Sequence, residues 1–275
     1  MPDTDNRITV TIDGGVADVR LVRTDKMNAL DDAMFSALVE TGERLKSEAG
    51  VRAVVLSGEG RAFCAGLDMG NFGKMAEGPR AAQTGAGSGA DGFAERTHGI
   101  ANRAQYAVWV WRDIPVPVIA AVHGVAFGGG FQLALGADMR FVAPDTRMAV
   151  LEIKWGLVPD MAGTMLMRHL AREDVVRELT YTGRIFSGEE ALAMGFATRV
   201  CADPRAEALA VAREIAGKNP DAVRAAKRLL NAAPVTDQGS GLLQETVEQI
   251  ALIGSPNQVE AVMANMQKRE PAFTD

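Results

Sequence analysis

Cysteine is scarce in this chain. Cys64 and Cys201 are the two present, and they show no pairing pattern. That excludes a disulfide framework and suits a reducing compartment. Long apolar runs are missing too. None approaches the ~20 residues of a membrane-spanning helix, so no membrane span is expected. There is no excess of basic residues: the net charge is −6 and the pI is near 5.3. This argues against general nucleic-acid binding, and any contact with a polyanion must be local. The three histidines, His98, His123 and His169, are scattered without metal-ligand spacing. No Gly-x-Ser-x-Gly elbow occurs, which removes the hydrolase nucleophile of that type. The first residues, Met1–Asn6, are polar and acidic, unlike a secretory signal. A cytoplasmic protein is expected.

What is abundant is apolar residues, 47% of 275. That is enough for a sizeable core in one or two domains. Ile8–Ile12 and Val16–Leu21 read as a hairpin around Asp13-Gly14-Gly15. Asp31 starts a helix that runs towards Gly50, and Ala53–Ser57 reads as the next strand. Residues 72–92 are rich in glycine, alanine and polar residues and read as a mobile loop. A helix is expected from about Phe93 to Trp111, with Tyr106, Trp109 and Trp111 used in packing. Pro115 and Pro117 then lead into a strand at Val118. Strands alternating with helices predict an α/β core with much parallel sheet. From about Ser187 the pattern reads as an all-helical tail. Asp203-Pro204, Asn219-Pro220 and Ser255-Pro256 each set a capping residue before a proline at the first helical position. Ser187 with Glu190 has capping-box spacing. The expected organisation is an α/β core over 1–186 and a helical region over 187–275 whose apolar faces need partners.

Two stretches carry candidate chemistry. In Val118–Asp138 a short apolar run reaches Gly124, and Gly128, Gly129 and Gly130 then open an apolar helix. Glycines at a strand-to-helix passage let backbone approach a ligand, or merely relieve crowding. The first amides of a helix lack internal partners and suit a phosphate or a developing oxyanion. Gln132 lies about one helical turn beyond Gly129, on the same side. In Val54–Met69 another buried-type strand runs through a glycine-punctuated loop into Ala65-Gly66-Leu67-Asp68. Two such exits could converge on one carbonyl oxygen. Cys64 beside this loop fits a small packed thiol better than a nucleophile, because no histidine is near it in sequence.

These segments resemble the enoyl-CoA hydratase/isomerase, or crotonase, superfamily over nearly the whole chain. The similarity begins at Lys26–Leu30 and passes through Phe63–Asp68, His123-Gly124 and Gly128–Gly130. It continues through Glu152–Pro159, Thr182–Leu192 and Gly195-Phe196, and ends at Lys268–Phe273. The resemblance implies a crotonase-like spiral of strand–strand–helix units whose C-terminal helices pack on neighbouring subunits of a trimer or hexamer. It implies an acyl-CoA thioester substrate, with coenzyme A as part of that substrate, no separate cofactor and no metal. By family position the thioester oxygen would sit on the N–H groups of Leu67 and Gly129. Ala65, Asp68 and Met69 would line the substrate entrance. Lys26 and Lys268 would contact coenzyme A phosphates, although each also fits a solvated surface lysine.

Proton traffic beside a thioester needs a base of suitable pKa within reach. Glu152 matches the family's principal acid–base glutamate, and its neighbours Val150, Leu151, Ile153 and Trp155 would raise its pKa if they bury it. Hydratases of the family usually carry a second glutamate where this chain has Gln132. Glutamine can orient a water but cannot exchange a proton at neutral pH. Asp160 stands where hydratases usually have glycine, and Glu152 with Asp160 partly resembles the dienoyl-CoA isomerase branch. As a residue after Pro159, Asp160 also fits a simple turn. The expected activity is double-bond isomerisation of an enoyl- or dienoyl-CoA through a stabilised enolate. The alternatives are hydration of a 2-enoyl-CoA and a catalytically silent acyl-CoA-binding or assembly subunit.

Overall fold

The structure, a computed structural model, describes residues 7–71 and 94–275. Strands β1 (Ile8–Asp13) and β2 (Val16–Leu21) form the expected antiparallel hairpin. Helix α1 (Asp32–Ser47) follows, with the Asp31 carboxylate accepting from the Met34 amide at its start. Strand β3 (Ala53–Gly58), helix α2 (Arg103–Asp113) and strand β4 (Val118–Val122) come next. Then come β5 (Val125–Phe127), α3 (Gly129–Leu135), β6 (Met139–Val142) and β7 (Arg147–Ala149). A 3-10 turn at Glu152–Trp155 leads to α4 (Gly163–Met167), α5 (Glu173–Thr182) and α6 (Gly188–Met194). After β8 (Arg199–Val200) the chain closes with α7 (Pro204–Ala216), α8 (Pro220–Ala232), α9 (Gln238–Leu252) and α10 (Pro256–Gln267).

The main sheet is six-stranded in the order β1-β2-β3-β4-β6-β8, and β5 with β7 makes a second, two-stranded parallel sheet. Every pair in the main sheet after the first hairpin is parallel. Parallel sheets are covered on both faces, so their strands read as continuous apolar runs. Side-chain alternation then sorts each strand between two cores. Val54, Leu56, Val118, Ala120 and Val122 join Trp111, Phe131, Phe186 and Phe196 on one face. Ala53, Val55, Ile119 and Ala121 meet Phe141 with Ala208, Ala212 and Ala216 on the other. Those three alanines recur every fourth residue along α7, a small-residue stripe that lets the helix lie close to the sheet.

Several expectations are refined. The caps at Asp31, Asp203, Asn219 and Ser255 and the Ser187–Glu190 capping box are present as read. The second helix starts at Arg103, later than expected, because Asn102 and Gln105 close a capping box there and His98 pairs with Ala101 just before it. Phe93 and the loop reading of 72–92 lie outside the described residues. The C-terminal region carries the expected helices but is not all-helical, because the two-residue strand β8 returns to the sheet beside β6. Its helix α7 covers a strand layer, so not every C-terminal helix is left to seek a partner. Helix α9 instead packs on α8, tied by the Arg228–Glu248 ion pair, and none of its residues is buried. Among the described residues no helix is long and apolar enough to cross a membrane.

Candidate active site

The chain leaving β3 is strapped between two neighbours. On one side Phe63 and Cys64 donate to His123 and Val125, and Phe127 donates back to Cys64. On the other, Ala65 donates to Met27, Leu30 to Gly66 and Asp68 to Leu30. Asn28 supports this strap from within. It is fully buried in the left-handed conformation that asparagine tolerates, and its Nδ2 donates to the carbonyls of Glu59 and Ala62. Gly66 has a φ of +88, and a Cβ there would lie 2.5 Å from the Phe127 carbonyl oxygen and 3.7 Å from the Gly129 nitrogen. The absence of that Cβ brings the two glycine-rich exits together. Among the described residues, neither the Leu67 nor the Gly129 N–H has a hydrogen-bond acceptor.

The carboxyl group of Glu152 reaches the same spot from the 3-10 turn. Gly128, at a φ of +51, makes room for it, since a Cβ there would lie 3.3 Å from Glu152 Oε1. Glu152 is 9% exposed. Gln132 Nε2 donates to its Oε1 at 2.6 Å, and Oε2 is buried without a partner. Burial holds the Glu152 carboxyl above its usual range; the Gln132 hydrogen bond opposes this and nearby Asp160 adds to it. The apolar neighbours act unequally. Val150 is buried, whereas Ile153 and Trp155 are exposed, so enclosure comes from the core side of the turn. Solvent still reaches Asp160, yet crowding around its carboxyl also raises its pKa through desolvation.

Gln132 does not hang free. Its Oε1 accepts from the amides of Met161 and Gly163, each at 2.9 Å. These amides had no sequence signature beyond the glycine at 163, where a Cβ would lie 2.6 Å from Gln132 Oε1. Asp68 is engaged by the Gly70 amide at 2.8 Å and by Arg23 at 2.6 Å, which hold its carboxyl below the usual range. It straps the loop, while Met69 beside it is exposed. Cys64 is buried, donates to the Asn28 carbonyl at 3.1 Å, and has its pKa pushed up to about 12 by desolvation. It is a packed thiol. Lys26 is exposed on the turn before Met27, next to the loop it straps. Lys268 is exposed at the end of α10. The chain beyond it ends on Arg52 and Arg224, by the start of β3 and away from the loop that leaves that strand's other end. None of the described contacts joins Lys268 to the Glu152 cluster. Among the described residues no cluster of three or more His, Cys, Asp or Glu side chains is arranged to hold a metal.

A buried carboxyl of raised pKa with one free oxygen, beside two strand exits with free amides, is an acid–base site suited to proton transfer at carbon. The family model for Enoyl-CoA hydratase/isomerase matches residues 11–275. The chain belongs to this family and is an acyl-CoA enzyme of it. It is 31% identical to the human (Homo sapiens) mitochondrial enoyl-CoA hydratase domain-containing protein 2, over 95% of this chain and 86% of that one. It is also 31% identical to the human (Homo sapiens) mitochondrial Delta(3,5)-Delta(2,4)-dienoyl-CoA isomerase, over 93% of this chain and 77% of that one. A crystal structure of an enoyl-CoA hydratase from Mycobacterium smegmatis superposes with a TM-score of 0.82 at 30% identity, covering 96% of this chain and 98% of that one.

Proposed function

We propose that the protein shifts a double bond within the acyl chain of an enoyl- or dienoyl-CoA. Glu152 Oε2 takes a proton from the carbon next to the thioester carbonyl. The electron pair moves into the carbonyl, and the Leu67 and Gly129 amides bear the charge that develops on oxygen. The enolate collapses with the double bond moved towards the thioester, and a proton returns further along the chain. Glu152 returns it in the short shift of a 3-enoyl thioester. Asp160, as the second acid, returns it in the longer shift of a 3,5-dienoyl thioester. Preorganised amides of this kind are worth about 3–4 kcal/mol each in comparable sites.

The observation that carries this reading is that the group hydrogen-bonded to Glu152 is the Gln132 carboxamide, itself occupied at both ends, so no carboxylate takes that position to manage a water with Glu152. The raised pKa values of both Glu152 and Asp160 suit groups that exchange protons. Hydration of a 2-enoyl-CoA remains the second reading, favoured by a relative named a probable enoyl-CoA hydratase from Bacillus subtilis at 29% identity, close to the 31% of the isomerase. The test is Glu152→Gln. In either reading turnover of every thioester should fall about 10²–10⁴-fold or more, with the folded state retained. Wild-type turnover in the variant would remove Glu152 from the chemistry.

A further inference from the structure

Gln132 is the residue at which this site departs furthest from a pair of acids, and its orientation is fixed by its surroundings. An amide oxygen has two lone pairs, and both are used by the N–H groups of Met161 and Gly163. A flipped carboxamide would press its NH2 group against two donors, so the orientation is determined by the hydrogen bonds alone. The backbone gives up ordinary geometry to build this cradle. Ala162, between the two donating residues, sits in the left-handed region at a φ of +66. Gly163 leaves no room for a Cβ against the Gln132 side chain. Gln132 itself is 1% exposed. Its oxygen is saturated, and its Nε2 points at Glu152 Oε1.

We propose that Gln132 is a positioning residue: its carboxamide, anchored by the Met161 and Gly163 amides, holds Glu152 Oε1 and leaves Oε2 as the single proton-carrying atom of that carboxylate. The inference rests on the reading of Glu152 as the site's acid–base group. It assigns Gln132 no contact with substrate and no water to orient. It also makes the site a one-carboxylate device at short range. A proton taken by Oε2 is either returned by Oε2 or delivered by Asp160, whose charge acts on Glu152 through space. A substrate whose chemistry needs two acids at one carbon–carbon bond is thereby disfavoured.

The test follows the titration of the Glu152 carboxyl by infrared difference spectroscopy in the full chain, with Glu152→Gln as the reference. Gln132→Leu removes the donor to Oε1. The Glu152 titration should move up by about one pH unit, and the acid limb of kcat/KM should move with it. KM for the thioester should stay within about twofold, because Gln132 does not touch substrate. Gln132→Glu keeps an acceptor for the Met161 and Gly163 amides and so guards against a variant that fails to fold. It sets a second carboxyl against Oε1, and the two groups should titrate as a coupled pair in two separated steps. A Glu152 titration that does not move in the folded variants would overturn the proposal. So would a large rise in KM with the titration unchanged, since Gln132 would then be a substrate contact. If the wild type turns over no thioester, the functional reading fails, while the infrared titration still decides the role of Gln132.

Discussion

Glu152 ionises against its surroundings. Its ordinary pKa is 4.5, and burial lifts it in the folded state. The folded protein therefore binds that proton more tightly than the unfolded chain does. The stability linked to it is fully present below the ordinary value and is lost as the pH rises through the folded one. Asp160 contributes in the same direction. Glu152→Gln removes the Glu152 part, so its melting temperature should gain on the wild type as the pH rises above the ordinary carboxylate value of 4.5. Thermal melts of both proteins across that range check this, and a gap that is constant with pH would contradict it. The position of Glu152 in the proposed site was legible through the motif around it, but its setting was not. Ile153 and Trp155 look in sequence like its enclosure and face outwards instead. The partners of Gln132 are main-chain amides, which no side-chain pattern announces.

At the scale of elements, the glycine-rich exits were readable because they follow apolar strands, and the structure brings them into contact. The later start of α2 had a signal as well, Asn102 with Gln105 at capping-box spacing. Strand β8 is two residues long, too short for any alternation to register. The convergence of the exits depends on Gly66, as it does on Gly124 and Gly130, where a Cβ would lie 2.0 Å from the Arg61 carbonyl oxygen and 2.2 Å from that of Cys64. Gly66→Ala would set a methyl group 2.5 Å from the Phe127 carbonyl at a φ of +88. Pushing β5 away should cost about 1–3 kcal/mol of stability and move the Gly129 amide. Turnover should fall by about 10²-fold or more, as when one oxyanion donor is lost. Chemical denaturation and kcat/KM measure the two effects. Wild-type turnover in a folded Gly66→Ala protein would detach the loop junction from the chemistry. Gly129→Pro is a poorer probe, because any Cβ at 129 also strikes Met161 and Leu30.

At the scale of the whole molecule, the α/β core was legible because parallel strands buried on both faces read as unbroken apolar runs. What covers the second face was not, because Ala208, Ala212 and Ala216 are too small to stand out as a core stripe. The outermost helix leaves a larger surface uncovered. Leu242, Leu243, Val247, Ile250 and Ile253 on and just after α9 are all exposed, as are Val262 and Met266 on α10. Leu243, Val247 and Ile250 fall on one face of α9 by helical spacing, and exposed apolar residues grouped in this way mark an interaction site. We expect self-association into a trimer or hexamer, to be checked by sedimentation at micromolar concentration; a stable monomer would reject it. The central claim concerns the reaction, and its most direct test is the ratio of two rates. Purified protein should isomerise a 3-enoyl or 3,5-dienoyl thioester with a higher kcat/KM than it hydrates a 2-enoyl thioester. Asp160→Asn should lower dienoyl isomerisation by about 10²-fold while leaving the shorter shift less affected. Faster hydration in the wild type, with Asp160→Asn unchanged on every substrate, would contradict the account and return Asp160 to a turn residue.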